Sequence, residues 1–362
     1  MVKRKATGAG AGRRTKRTKT TTAGAFLWKA NDWKVKRAIT QEVSLLVSGT
    51  NSKQFLVKKV LDIDEDDDAQ PPEIRALARL PDCNRIVKPI AYSHADPDPE
   101  HGTALFEHYL LGDLQQWRQK LFVHKNRKPV PESFIWRCFL QINLRGCMTH
   151  RDIKPKNILV AENGTTYPSF KLHDFDCAMT WEKSTARQPA RCGTFQWQPP
   201  EGPRIGINTK AAELWALGAF IYFLATGQPP IEDSDAYAAA RLRDNNNQHP
   251  DSAREYGRYH RYYDAHVPRR FTPINLSSDE LHQQGLGLST EEKRARGMGP
   301  EYHQYSDELN DWMAQCLSQT PSRRPTAERL VYGMSLAARG MLKKMGGKAA
   351  LVDLEAKFGA DA

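Results

Sequence analysis

Cysteine is sparse in this 362-residue chain: six residues, at 83, 138, 147, 177, 192 and 316, none in a Cys-x-x-Cys pair. That spacing argues against a zinc site and against a disulfide framework, so a reducing compartment is expected. Long apolar runs are missing too. The longest, Leu214 to Thr226, is too short and too interrupted to span a bilayer. The basic N-terminus has no apolar stretch behind it, so it does not read as a secretory signal. No internal repeat is visible. Acid is absent from residues 1–20, which hold eight of the lysines and arginines. With a net charge of +11, this leaves only +3 for the rest. A near-neutral body argues against a broad nucleic-acid-binding face.

What is present divides the chain into regions. Residues 1–24 are Lys, Arg, Gly, Ala and Thr, a composition expected to be disordered. The clusters Lys3–Lys5 and Arg13–Lys19 have the look of a bipartite nuclear-import signal, which predicts an intracellular, nuclear or nucleo-cytoplasmic protein that meets an import receptor. A solubilising tail with weak nucleic-acid contact is the other reading. Val43–Val47 and Phe55–Val60 read as strands around the turn cluster Ser48–Ser52. Asp62–Asp68 reads as a solvated acidic loop. Pro71-Pro72 opens a helix over 73–80 with Ile74, Leu77 and Leu80 on one face. Further helices are expected from Glu132 to Leu144, over 211–226 (apolar on most sides), over 305–317 and over 326–341. The polar stretch 232–304 predicts short helices within loops, and its Tyr/Arg run (Tyr256 to Tyr263) reads as a solvated insert or a partner surface. Strands first and helices after predict an α+β arrangement, a small β-rich lobe on a larger helical one.

The chemistry is concentrated in His150-Arg151-Asp152-Ile153-Lys154-Pro155-Lys156-Asn157, followed by Asp174-Phe175-Asp176. A carboxylate, a lysine two residues on and an asparagine five residues on form an ordered set. It suits phosphoryl transfer, which needs a group to orient a hydroxyl, a cation near the moving phosphoryl and oxygen ligands for Mg²⁺. With these residues the chain resembles eukaryotic-type protein kinases of the serine/threonine class, over about Trp33 to Ala338. Segments such as Gly193–Glu201 and Pro131–Trp136 are most similar to kinases of filamentous fungi.

The resemblance implies a bilobal fold: an N-lobe over 31–106, a hinge over 107–113 and a C-lobe over 114–340 carrying the insert. A kinase domain would then cover 25–340, with a C-terminal tail over 341–362. It implies ATP and Mg²⁺ as cofactors, a protein substrate and no membrane. Asp152 would hold the substrate hydroxyl, Lys154 would neutralise the transferred phosphoryl, and Asn157 and Asp174 would bind the metal. Lys58 would pair with the α- and β-phosphates and with Glu73, while Lys59 would face the other way. Val43, Leu56 and Leu159 would sandwich adenine, the backbone of Glu107 and Tyr109 would bond it behind the gatekeeper Phe106, and Asp113 would reach the ribose. Glu201 would pair with Arg324. Thr180, Ser184 and Thr185 would be activation-segment hydroxyls, with Arg151 placed to receive a phosphate.

The chain departs from the family pattern in four places. The three glycines of the phosphate-covering loop fall at Lys36, Ala38 and Gln41, which predicts weaker nucleotide binding. Asp176 stands where the family has Gly. Glu213 stands where it has Asp, so a brace on the catalytic loop is expected to be distorted. Several residues are missing between Gln141 and His150. An active kinase is expected; a catalytically impaired pseudokinase serving as a binding or scaffold module is the alternative.

Overall fold

The computed structural model describes residues 29–63, 70–126, 129–142, 148–165, 167–180, 192–201, 209–296 and 303–359. The basic tail, most of the acidic run, the path over 143–147 and the hydroxyls of Ser184 and Thr185 lie outside these residues, as does the side chain of Thr180.

A five-stranded antiparallel sheet forms the first lobe: β1 (Trp33–Ala38), β2 (Val43–Ser48), β3 (Phe55–Asp62), β4 (Ala91–Ser93) and β5 (His101–Glu107), in the order β1-β2-β3-β5-β4. Side chains of β3 point to alternate faces, as a strand requires. Val57 and Leu61 of β3 face the main core, whereas Leu56 packs with Leu46 and Leu105 on the other side. One helix crosses this lobe, α1 (Pro72–Arg79), opened by Pro71-Pro72 and burying Ile74 and Leu77.

The second lobe is mostly helical. α2 (Leu114–Arg118) follows the connection between lobes, and α3 (Glu132–Ile142) runs up to the last residue described before 148, so the expected end at Leu144 lies outside the described residues. The catalytic loop then lies between the two-residue strand β6 (Met148–Thr149) and the hairpin of β7 (Ile158–Ala161) and β8 (Ser169–Leu172), and β6 pairs with β9 (Met179–Thr180). At the centre is α4 (Lys210–Thr226), buried on nearly every side. Thr209 caps its start and Gly227 ends it at a φ of 84°. Gly218 lets α9 (Asp307–Cys316) approach closely: a Cβ there would stand 2.7 Å from Cys316 Cβ. The stretch 232–304 folds as α5 (Ser234–Asp244), α6 (Tyr259–His266), α7 (Ser278–Gln283) and α8 (Thr290–Arg296). Its Tyr256 ring lies 5.5 Å from that of Phe195, so the insert abuts the end of the activation segment. Ser335–Gly346 forms α10, and residues 347–359 return along the back of the molecule.

One expectation fails outright. Cys177 and Cys192 are joined by a disulfide, with Cα atoms 5.7 Å apart across a 15-residue separation. The expectation rested on spacing, and spacing is silent here: the two cysteines flank a segment whose ends the fold brings together. Cysteine usage therefore no longer supports a reducing compartment. Cys83, Cys138 and Cys316 remain free and buried.

Candidate active site

The lysine expected at the phosphates is the wrong one of two neighbours. Lys59, not Lys58, reaches Glu73 Oε2 at 2.8 Å, and it also reaches Asp174 Oδ1 and Asp176 Oδ2 at 2.8 Å each. The register explains why. Lys59 stands opposite Val43 and Ala104, and Val57 opposite Phe106; cross-strand partners share a face, and this one meets the cleft. Lys58 and Leu56 belong to the outer face. Leu56 therefore lies on the face away from the cleft, whereas Val57 shares the face of Val43 and Lys59. The alternation Val57-Lys59-Leu61, whose apolar members reach the core, was the available signal.

Glu73 is almost fully buried and does double duty: Oε2 meets Lys59, while Oε1 accepts the backbone N–H of Phe175 at 3.0 Å. Phe175 is buried in the same core as Leu77, and its ring lies 4.7 Å from that of His150. Burial works against the Lys59 charge, yet Glu73, Asp174 and Asp176 together hold it well above its ordinary value. Burial raises Asp174 as well, but the Lys59 ammonium wins and keeps it well below the usual carboxylate range. Asp176 goes the other way: burial, then the Glu73 charge, push it up to about 7. Asp174 has a φ of 67°, so the left-handed residue in this turn is Asp174, and Asp176 sits in a helical turn where no glycine is required.

Across the cleft the catalytic loop is fully cross-linked. Asp152 Oδ2 accepts from Lys154 Nζ at 2.5 Å and from Asn157 Nδ2 at 3.0 Å, and Oδ1 accepts from Thr194 N at 2.9 Å. Lys154 also donates to Thr194 Oγ1 at 2.7 Å. Gly193 permits this approach, at a φ of 91°; a Cβ there would lie 2.5 Å from Arg151 O. The expected distortion at Glu213 does not occur. Its carboxylate accepts the Arg151 N–H, and burial pushes it up to about 7. Arg151 takes a φ of 68° over this brace. His150 donates from Nε2 to His173 O and accepts the Asp152 N–H at Nδ1; burial lowers it to about 4, so it is neutral near pH 7. Arg324 and Glu201 form a two-pronged pair at 2.6 and 2.8 Å.

Asn157 commits its amide nitrogen to Asp152, which leaves its carbonyl oxygen as a donor. With the Asp174 carboxylate this is an all-oxygen set, the chemistry that suits Mg²⁺. Carboxylate oxygens of Glu73, Asp174 and Asp176 lie within 4.8 Å of one another beside it. Asp113 caps α2 by accepting from Gln116 N at 2.8 Å, and it bridges to Leu159. Tyr109 donates its hydroxyl to Glu107 Oε2 at 2.6 Å, holding the connection between lobes.

The turn over 39–42 explains how β1 and β2 join without glycine. Thr40 Oγ1 accepts the N–H groups of Glu42 and Val43 at 3.3 and 3.0 Å, and Ile39 N donates to Val43 O. Amides that a glycine-rich turn would present to phosphate are used within the turn itself.

A protein-family model described as protein kinase domain matches residues 40–333. Among curated proteins the chain is 36% identical over 88 residues to a probable myosin light chain kinase of Dictyostelium discoideum, covering 24% of this chain and 18% of that protein. It is 35% identical over 95 residues to mitogen-activated protein kinase kinase kinase 10 of Mus musculus, covering 25% and 10%. It is 36% identical over 94 residues to an Aurora kinase of Schizosaccharomyces pombe, covering 26% and 25%. The chain thus spans a quarter or less of the length of these relatives. With most of its length matched, this chain belongs to the protein kinase domain family.

Proposed function

We propose that this protein is a serine/threonine kinase that transfers the γ-phosphate of ATP to a protein hydroxyl. The supporting observation is the Asp152–Lys154–Asn157–Thr194 network. A carboxylate offers about four lone-pair positions, and three of those on Asp152 are occupied. The fourth is available to a substrate hydroxyl, which Asp152 orients in line with the phosphoryl group. Lys154 brings positive charge to the same point. Lysine at this position is also what the resemblance to serine/threonine kinases rests on.

Adenine would lie between Val43, Val57 and Leu159, bonded by the backbone of Glu107 and Tyr109, with Asp113 beside the ribose. Lys59 would exchange Asp176 for the α- and β-phosphates while keeping Glu73. Asp174 and Asn157 would hold Mg²⁺, which neutralises charge on the phosphates when bound. Import to the nucleus through residues 1–24 and a kinship with kinases of filamentous fungi belong to the same proposal. Import would be read from the location of a fusion lacking that tail.

Purified protein with MgATP is expected to phosphorylate itself or a generic basic protein, and Asp152→Asn is not. Equal incorporation by both would sink the reading. The alternative, a pseudokinase that binds partners without turnover, is favoured by the three carboxylates around Lys59 and the Thr40-closed turn. It predicts no phosphoryl transfer even where MgATP raises the melting temperature.

A further inference from the structure

Two arginines are buried at the back of the molecule, away from the cleft chemistry: Arg85 is 1% exposed and Arg137 0%. A buried guanidinium needs partners. Both find them in one segment, residues 347–359, which lies beyond the matched kinase domain. Arg85 Nη2 donates to Asp353 Oδ1 at 2.8 Å, to Asp353 O at 2.5 Å and to Glu355 O at 3.1 Å. Arg137 Nη1 donates to Ala350 O and Val352 O at 2.7 and 2.8 Å. Asp353 also accepts from Gln141, Asn163 and Ser169, tying α3 and the β7–β8 turn to the same point. It holds a φ of 55°, in the left-handed region that Asp tolerates better than most non-glycine residues.

Arg85 belongs to the loop that follows α1, and the segment grips that loop along its length. Cys83 bridges Phe358, Asn84 exchanges bonds with Lys357, and Gly359 N donates to Asp82 O. The loop continues directly from the C-terminal end of α1, which also packs on the core through Ile74 and Leu77. That helix has only eight residues and no side-chain N-cap, and an isolated helix of this length does not sustain itself. Its far end is held by Lys88, whose ammonium bonds Leu80 O at 2.5 Å and Asp82 at 3.1 Å. α1 in turn carries Glu73, the partner of Lys59 and of the Phe175 amide.

We infer that residues 347–359 form an intramolecular clasp that positions Glu73, with Asp353 and Arg85 as positioning residues acting through the loop after α1. The segment reads the loop as a bound peptide would, by main-chain bonds and one carboxylate seated on a buried cation. This goes beyond the proposed activity, and its test needs no turnover. An inactive protein would sink the kinase reading and leave this one standing.

The test compares the full-length wild type with Asp353→Asn, which keeps the side-chain volume and loses the charge. Amide exchange is followed by mass spectrometry, and affinity for a non-hydrolysable ATP analogue with Mg²⁺ is measured alongside. Exchange over 72–90 is expected to rise about tenfold and nucleotide affinity to fall by a similar factor, while α4 keeps its protection. Ser169→Ala removes a single donor to Asp353 and is expected to act in the same direction by about threefold, so the test survives if Asp353→Asn fails to fold. Wild-type exchange over 72–90 in the folded variants would overturn the inference. So would an equal rise in α4, the mark of a merely structural loss.

Discussion

The two sides of the cleft depart unequally from the pattern of the family. On the catalytic-loop side, Asp152, Lys154, Asn157 and Thr194 bond one another, and the brace at Glu213 forms with a longer side chain. On the nucleotide side, the loop amides are taken by Thr40 and the phosphate-facing lysine is shared among three carboxylates. The difference separates two tasks. Orienting a hydroxyl tolerates little change in geometry, whereas holding a triphosphate draws on many contacts and can lose some.

The largest expected effect breaks the catalytic-loop side alone. Asp152→Asn should lower the rate of phosphoryl transfer by about 10²–10⁴-fold with nucleotide affinity unchanged, read from single-turnover assays beside calorimetric binding. The nucleotide side is broken by Lys59→Met, expected to reduce kcat/KM for ATP by about 10²-fold. Lys58→Met should leave it within about twofold, and a reversed order would overturn the face assignment of β3.

Glu213 gives a pH test of the brace. A carboxyl raised to about 7 binds its proton more tightly folded than unfolded. Its contribution to stability is complete below the ordinary carboxylate range and is lost as pH climbs through about 7. From an ordinary value of 4.5, the wild type should lose about 3 kcal/mol more than Glu213→Gln across that window, followed by denaturant unfolding. Parallel curves would show that Glu213 is ionised in the fold. The smallest effect sharpens the comparison: Thr40→Gly frees the Glu42 and Val43 amides and should tighten ATP binding by up to about tenfold, unless the turn itself loosens.

The bilobal architecture was legible because the apolar strand runs on either side of Ser48–Ser52, the Pro71-Pro72 helix start and the apolar run of α4 each carry a local signal. The grouping of Asp152, Lys154 and Asn157 was legible because all three lie in one short loop. The choice between Lys58 and Lys59 was not, because adjacent strand residues differ only in face, and a motif match does not supply a face. Leu56 was misplaced with it. The sequence marks Asp176 as a departure from glycine, but its bond to Lys59 depends on a contact across 117 residues. The disulfide and the Asp353 hub depend on pairings that only the folded chain brings together, so no local pattern marks them.

The span of the Arg85–Asp353 pair bears on how the protein is made. Arg85 is synthesised 268 residues before the aspartate that neutralises it. Domains generally fold as units, and pairings that distant close slowly. Until residues 353–359 have emerged, Arg85 lacks its carboxylate and the loop after α1 lacks its bonds to that segment. If the clasp positions Glu73, the nucleotide site is completed only when the last residues of the clasp arrive.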